Sequence, residues 1–144
     1  MSASGAAQAP EGRTDSRLSD GWAALINEGM QLMSAGTPLQ ALACFKSAAL
    51  LRPGHLQTLA AQGAASLRAE LPEEALKVFD AILKSDPNNV EAWHGKGLAL
   101  SHLGDQGAAL AAFRSAVKDN ATAWASWRAI AELALEEEER INAV

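Results

Sequence analysis

Aromatic residues are scarce in this chain of 144 residues, which contains no tyrosine, three phenylalanines and four tryptophans, although 49% of its residues are hydrophobic. A core with so few large rings has to be filled mainly by alanine and leucine. Because alanine is the strongest helix former and adds little bulk, this composition favours closely packed helices. Together with the length, it predicts one compact helical unit rather than two domains.

Cysteine is nearly absent, since Cys44 is the only one. A single cysteine cannot form an internal disulfide, which is typical of a reducing compartment, and we therefore expect a cytoplasmic protein. No apolar run is long enough to cross a bilayer, and the N-terminus lacks the basic and apolar stretches of a secretory signal. Membrane insertion is therefore not predicted.

Positive charge is also in short supply, with 12 basic against 17 acidic residues and a formal net charge of −5. Residues 21–118 are balanced, so the acidity lies mainly in the C-terminal segment that contains Glu136 to Glu139. A neutral body lacks the basic track that phosphates require, so no nucleic-acid partner is expected. We interpret the four glutamates as a solvated helix end; a docking tail is the alternative.

What the chain does contain is a pattern that recurs every 34 residues. A period of this length indicates stacked units of one kind, none of which can bury its apolar face alone. Small residues at two positions of each unit predict two helices in close approach, with a phenylalanine filling the space beside them. The positions in register are Gly29, Gly63 and Gly97; Ala41, Ala75 and Ala109; Leu42, Leu76 and Leu110; and Phe45, Phe79 and Phe113.

Turn residues punctuate this pattern. Thr37 is predicted to cap the second helix in a capping-box arrangement, with Pro38 at the first helical position. Gly36 and Gly104 stand where a left-handed residue ends a helix, but Glu70 holds the matching place in the second unit. We therefore expect the turn at Glu70 to differ from the other two.

These residues resemble the tetratricopeptide repeat family, in which each repeat is a helix–turn–helix unit. The resemblance implies an all-α fold, a right-handed superhelical stack of antiparallel helix pairs with about seven helices. The third repeat fits best, through Trp93, Gly97, Leu100, Ala109, Phe113 and Ala116. The predicted organisation is a disordered tail over 1–18, a repeat domain over 19–140 and a flexible end over 141–144. Within the domain, the repeats span about 22–55, 56–89 and 90–123, and a capping helix spans about 123–140.

Catalytic and metal sites are not predicted. Cys44 directly precedes Phe45 in a helix, so a small buried apolar role is favoured over a nucleophile. His94 and His102 lie eight residues apart on one helix, about 12 Å along its axis, too far for one metal ion. A contact from His94 to a ligand in a groove remains an alternative. Gly97 lies within a helix, so the glycines around Lys96 do not form a phosphate-binding loop. No cofactor is expected.

The four tryptophans have different predicted roles. Trp93 and Trp127 occupy the large position of the repeat and are predicted to lie in the core. Trp22 and Trp124 stand at the beginning of their helices. Trp22 has no preceding repeat to cover it, so it either packs on the N-terminal tail or marks an association surface.

The family resemblance also implies a concave groove lined by the first helix of each repeat. One family subtype holds a C-terminal carboxylate there with lysine and asparagine side chains, but the matching places here include Ile26, Met30 and Ala64. The implied groove is mainly aliphatic, with a polar end. Its predicted residues are Ile26, Met30, Met33, Ala64, Leu67, Arg68, His94, Leu98, His102 and Arg128. The resemblance also implies Gln57, Ala60 and Glu91 on the same face.

Two functions follow as hypotheses. The first is a non-catalytic interaction module, an adaptor or chaperone-like protein that binds an apolar peptide or an amphipathic helix of a partner in the groove. The second is a structural scaffold that self-associates through its exposed repeat ends, with Trp22 and Trp124 involved. A homo-oligomer is thus a possible state of this protein.

Overall fold

A computed structural model describes residues 20–118 and 123–143. This described part contains seven helices and no strand. The first, α1, is helical from residue 20, where the description begins, to residue 34. The others are α2 (Pro38–Leu51), α3 (Leu56–Arg68), α4 (Pro72–Ser85), α5 (Val90–His102), α6 (Gln106–Val117) and α7 (Trp124–Asn142). The tail predicted over 1–18 lies outside the described residues.

From α2 onward, each helix packs against the next one in the chain, and α3 also contacts α5. Short turns force consecutive helices to run antiparallel, and the contact between α3 and α5 stacks one pair on the next. The predicted all-α solenoid of helix pairs is therefore confirmed. No helix in the described ranges is long and apolar enough to cross a membrane.

The phenylalanine of each pair lies directly on the glycine of its partner helix. A Cβ atom built on Gly63 would stand only 2.6 Å from the ring of Phe79, and one on Gly29 would stand 2.5 Å from the ring of Phe45. Such distances are shorter than van der Waals contact, so only glycine lets these helices approach this closely. The predicted packing of small residues against phenylalanine is confirmed.

Gly95 makes a close approach that the repeat pattern did not predict. A Cβ atom on Gly95 would collide with Phe79, which belongs to the preceding repeat. The ring of Phe79 therefore lies against Gly63 of its own repeat and against Gly95 of the next one. Ala92 and Ala99 of α5 belong to the same core cluster as Phe79.

We call the first helix of each repeat its A helix. The three turns that follow α1, α3 and α5 are alike, so the expectation that the turn at Glu70 differs is wrong. Glu70 has a φ of 61°, beside 82° for Gly36 and 86° for Gly104. The N–H of Glu70 donates to the carbonyl of Leu67, and the next N–H donates to that of Ser66, as in a Schellman motif. The two flanking helices are held by their packing, which imposes the left-handed conformation on a residue that disfavours it.

The predicted capping box at Thr37 is also absent. The Thr37 hydroxyl makes no cap hydrogen bond to α2 and donates instead to the carbonyl of Leu32, 3.0 Å away. It therefore closes α1 rather than opening α2. Side chains do cap the N-termini of two A helices, α3 and α5, and the two capping residues are 34 positions apart. His55 Nδ1 accepts from the N–H of Thr58, and the Asn89 side chain accepts from that of Ala92.

The last helix extends slightly further than predicted. α7 ends at Asn142, two residues beyond the expected capping helix, and Thr122, expected as its cap, lies outside the described residues. α7 packs on α6 and follows it as an A helix would follow a completed repeat. Ser126 of α7 is buried.

Candidate peptide-binding groove

A cleft of about 530 Å³ opens between the first helices of the stack, and we call it the groove. Met30 and Met33 of α1 line it, three residues apart on one helix face. Ala60 and Ala64 of α3, four residues apart, line it from the next A helix. Its full lining is Met30, Met33, Ser34, Phe45, Gln57, Ala60, Ala61, Ala64, Arg68 and Glu91.

The floor of the groove is apolar because of how α1 and α2 pack. Gly29 lets the ring of Phe45 approach α1, and that buried ring lies beneath the floor of the groove. Met33 packs against the buried cluster that contains Phe45, whereas Met30 is 55% exposed. Methionine is unbranched and flexible, so an exposed Met30 can adapt to apolar groups of different shape.

The rim of the groove is polar and carries both signs of charge. Arg68, in the last turn of α3, and Glu91, in the first turn of α5, are both exposed lining residues. Ser34 and Gln57 add neutral polar groups, although the Ser34 hydroxyl donates to the carbonyl of Met30. Apolar contacts at the floor and polar contacts at the rim are the usual arrangement of a peptide-binding site.

Four of the ten predicted groove residues lie together in this cleft: Met30, Met33, Ala64 and Arg68. Two of the others, Ile26 and Leu67, are partly buried and pack against the core clusters. Leu98 is half-buried in α5, and His102 is exposed at the end of that helix. None of these four lines the cleft.

His94, another predicted residue, is engaged by α7. Its Nδ1 is hydrogen-bonded to the Ser126 hydroxyl at 2.8 Å, and its ring centroid lies 5.4 Å from that of Phe113. Burial lowers the pKa of His94 below its ordinary value, and the positive charge of Arg128 lowers it further. His94 thus joins the third repeat to α7 as a neutral side chain.

Arg128, the last predicted groove residue, lies on the surface of α7. Its Nε is 3.5 Å from the carboxylate of Glu132, one turn later, and its guanidinium lies 5.4 Å from the ring centroid of Trp124. Both partners belong to the same helix. An exposed ion pair of this kind adds little stability.

The predicted core positions of two tryptophans are wrong. Trp127 is 51% exposed, because no helix within the described ranges covers the face of α7 on which it lies. Trp93 is only partly buried, because its indole N–H reaches outward to the carbonyl of Pro87 at 2.7 Å. Lys96 lies over its ring, 5.5 Å from the centroid.

Trp22 packs on residues of its own repeat and the next. Its indole N–H donates to Thr58 Oγ1 at 2.9 Å, His55 meets its ring edge-on, and the Arg52 guanidinium lies 4.2 Å from the ring centroid. The prediction included only the N-terminal tail or an association surface as environments. The 34-residue step could have indicated this contact, since Trp22 matches Leu56, which packs inward.

Sequence reasoning missed three lining residues, Ser34, Phe45 and Ala61. Phe45 is predicted as part of the scaffold, and its ring is indeed fully buried, directly beneath the cleft lining. Ser34 and Ala61 follow from neither the repeat nor the family pattern.

Neither a nucleophile nor a metal cluster stands out among these residues. Cys44 is half-buried, and burial, aided by the nearby charge of Glu28, raises the pKa of its thiol. A raised pKa keeps the thiol protonated, which makes it a poor nucleophile at neutral pH. In the described ranges no three histidine, cysteine or carboxylate side chains are grouped to hold a metal ion.

A comparison with known families gives a match for most of the chain. The model described as "Tetratricopeptide repeat" matches residues 26–90 and 60–125. The chain belongs to the tetratricopeptide repeat family. The matched ranges include the whole groove lining, so the groove of this tetratricopeptide repeat protein is built from the family's own helices.

Solved structures with the same fold include three that cover most of both chains. The Sgt2 TPR domain from Aspergillus fumigatus matches with a TM-score of 0.76 and 21% identity, over 84% of this chain and 82% of that one. The first TPR domain of human RPAP3 matches with a TM-score of 0.75 and 12% identity, over 85% and 97%. PcrH, in complex with the chaperone binding region of PopD, matches with a TM-score of 0.71 and 20% identity, over 83% and 95%. A comparison with curated proteins finds no match.

Proposed function

We propose that this protein is a non-catalytic interaction module that binds an apolar peptide or an amphipathic helix of a partner protein in its groove. The observation that carries this proposal is the cleft itself, which has an exposed methionine on its floor and opposite charges on its rim. Met30 and Met33 supply adaptable apolar contacts, and Arg68 and Glu91 can orient a bound segment. Adaptor and chaperone-like roles both fit such a surface.

Proteins of the same fold support this role by what their structures contain. PcrH was solved with the chaperone binding region of PopD, and a TPR domain of Spaghetti was solved with the HSP90 peptide SRMEEVD. We do not propose that this groove binds a C-terminal carboxylate. Ile26, Met30 and Ala64 stand where the subtype that holds carboxylates has lysine and asparagine, and they cannot bind a carboxylate.

A selection from a phage-displayed library of random peptides tests the groove directly. Immobilised wild-type protein should enrich sequences with apolar residues at i, i+3, i+4 and i+7, which a helix presents on one face. Synthetic versions of the enriched peptides are then titrated against variants by fluorescence anisotropy. Met30→Glu should weaken binding at least about tenfold, because it places a charge on the apolar floor.

The matched control for this experiment is Gln31→Glu. It adds the same charge one residue further along α1, at an exposed position outside the cleft lining. Equal binding by the Met30→Glu and Gln31→Glu variants would contradict the groove as the binding site. Failure to enrich any peptide with an apolar helical pattern would contradict the proposed ligand class.

Self-association is the second candidate function, and one of its two tryptophans supports it. Trp124 is 68% exposed at the C-terminal end of the stack, whereas Trp22 is engaged by Arg52, His55 and Thr58. Support for an association surface is therefore strongest at α7.

A further inference from the structure

One face of α7 is apolar and is covered by no other helix of the described part. Trp127 is half exposed, as given above, and Trp124, Leu135 and Ile141 are more exposed still, at 68%, 60% and 67%. The opposite face carries Ser126, which is hydrogen-bonded to His94 of α5, and Leu133, which lies near Leu110 of α6. Water-exposed apolar side chains so concentrated on one helix indicate a binding surface.

The 34-residue step identifies which face this is. Trp127 is the counterpart of Trp93, and Ala131 is the counterpart of Gly97. In the third repeat, Gly97 is the position on which Phe113 of the following helix lies. α7 therefore presents the surface that every preceding A helix covers with a second helix.

This surface is complementary to itself. Positions 124, 127, 131, 134, 138 and 141 recur at alternating steps of three and four, the spacing of a coiled-coil seam. We call them the α7 seam. In an antiparallel pair with Ala131 opposite Ala134, Trp124 of each copy meets Ile141 of the other. The small alanines at the centre let the two backbones approach closely.

Charge favours the same arrangement. The only acidic position of the seam, Glu138, falls opposite Trp127 in the antiparallel pair and so beside Arg128 of the other copy. A parallel pair would place Glu136 to Glu139 of both copies next to each other, where like charges repel. An antiparallel pair in this register separates the two clusters by about ten residues, roughly 15 Å along the helix axis, and places each of them opposite residues 126–129 of the other copy, which include Arg128.

We propose that the α7 seam is a homodimer interface, on which a second copy of this chain packs its own α7 antiparallel about a twofold axis. The proposal rests on the self-association hypothesis, for which it names the surface and the geometry, and it is independent of binding in the groove. A large side chain such as tryptophan buries roughly 150–250 Å² when fully covered. The exposed parts of the three large seam residues, Trp124, Trp127 and Ile141, thus amount to on the order of 300 Å² per copy, below the roughly 800 Å² per partner of a standard interface and typical of a weak one. The dimer should therefore dissociate on dilution.

Sedimentation velocity over a dilution series tests the interface. Wild-type protein should shift from dimer to monomer, and Ala131→Glu should raise the dissociation constant at least about tenfold, because it buries a charge at the centre of the seam. Ala111→Glu makes the same change at an exposed position of α6 and should leave the dissociation constant unaltered. Circular dichroism of each variant reports whether the helices are retained, and Met30→Glu should leave the dimer intact.

A charge exchange tests the antiparallel register. Glu138→Arg places two cations side by side and should weaken the dimer, whereas the double variant Arg128→Glu/Glu138→Arg should restore it. Weakening without restoration would overturn the register. A dimer that Ala131→Glu does not affect would overturn the α7 interface while leaving self-association through another surface. A protein that stays monomeric at every concentration would overturn both the α7 interface and self-association. The seam would then be a binding surface for a helix of a different protein.

Discussion

At the scale of single residues, Glu70 shows how far the tertiary structure overrides local preference. Its left-handed conformation brings Cβ close to the following carbonyl oxygen, which costs roughly 1–2 kcal/mol in a residue other than glycine. The other two repeats place Gly36 and Gly104 at this point. The second repeat thus forms the same turn with a less suitable residue.

Replacing Glu70 by glycine should raise the free energy of unfolding by about 1 kcal/mol, since glycine adopts this conformation without the steric penalty. Chemical denaturation followed by circular dichroism measures the change. Glu70→Ala serves as control, because it removes the charge but keeps the Cβ atom, and it should give no comparable gain. Equal gains from both substitutions would mean that charge, not backbone strain, is the cause.

His94 makes stability depend on pH. Because its pKa is lowered in the folded protein, the unfolded chain takes up the proton first as the pH falls below about 6.5. The free energy of unfolding should therefore decrease between pH 7.5 and pH 5, with the full contribution of His94 present only above that range. In a His94→Gln variant the decrease should be smaller. Identical pH profiles for wild type and variant would contradict this role of His94.

At the scale of helices, capping differs between the two ends of the repeats. A left-handed residue follows the C-terminus of each of α1, α3 and α5, but only some helices have a side-chain cap at the N-terminus. His55 and Asn89 open α3 and α5 with hydrogen bonds to the third residue that follows, whereas Ala123 has no side chain with which to open α7. The seventh helix therefore resembles the earlier A helices in its apolar spacing but not in its first turn.

Removing the cap of α5 should be measurable. Asn89→Ala leaves the N–H of Ala92 without its 2.8 Å partner and should lower the free energy of unfolding by about 1 kcal/mol. Asn88→Ala, one residue earlier at an exposed position, is the matched control and should change stability much less. Denaturation curves of the two variants decide the point, and similar losses in both would contradict the cap.

At the scale of the whole molecule, the repeat period predicted the number and order of the helices because it records which residues must pack. The glycine and phenylalanine positions follow from volume alone, and volume repeats with the sequence. The environment of Trp127 cannot be predicted from the repeat. It depends on whether another helix packs on α7, and the repeat pattern indicates only that a helix could pack there. The turn at Glu70 was mispredicted because its conformation is imposed by the packing of flanking helices. The extent of the groove depends on side-chain packing such as that of Phe45, which spacing alone does not reveal.

Phe79 has a consequence for how the molecule opens. Among the contacts between glycine and phenylalanine, the ring of Phe79 lies against both Gly63 and Gly95. Phe45 lies against Gly29, and Phe113 lies against Gly97. Separating the third repeat from the second would therefore leave one face of this ring exposed to water. In hydrogen exchange, the amides of α3 to α5 should behave as one cooperative unit, with α1 opening more readily. Although the repeats are alike in sequence, the central helices of the stack are therefore expected to unfold last.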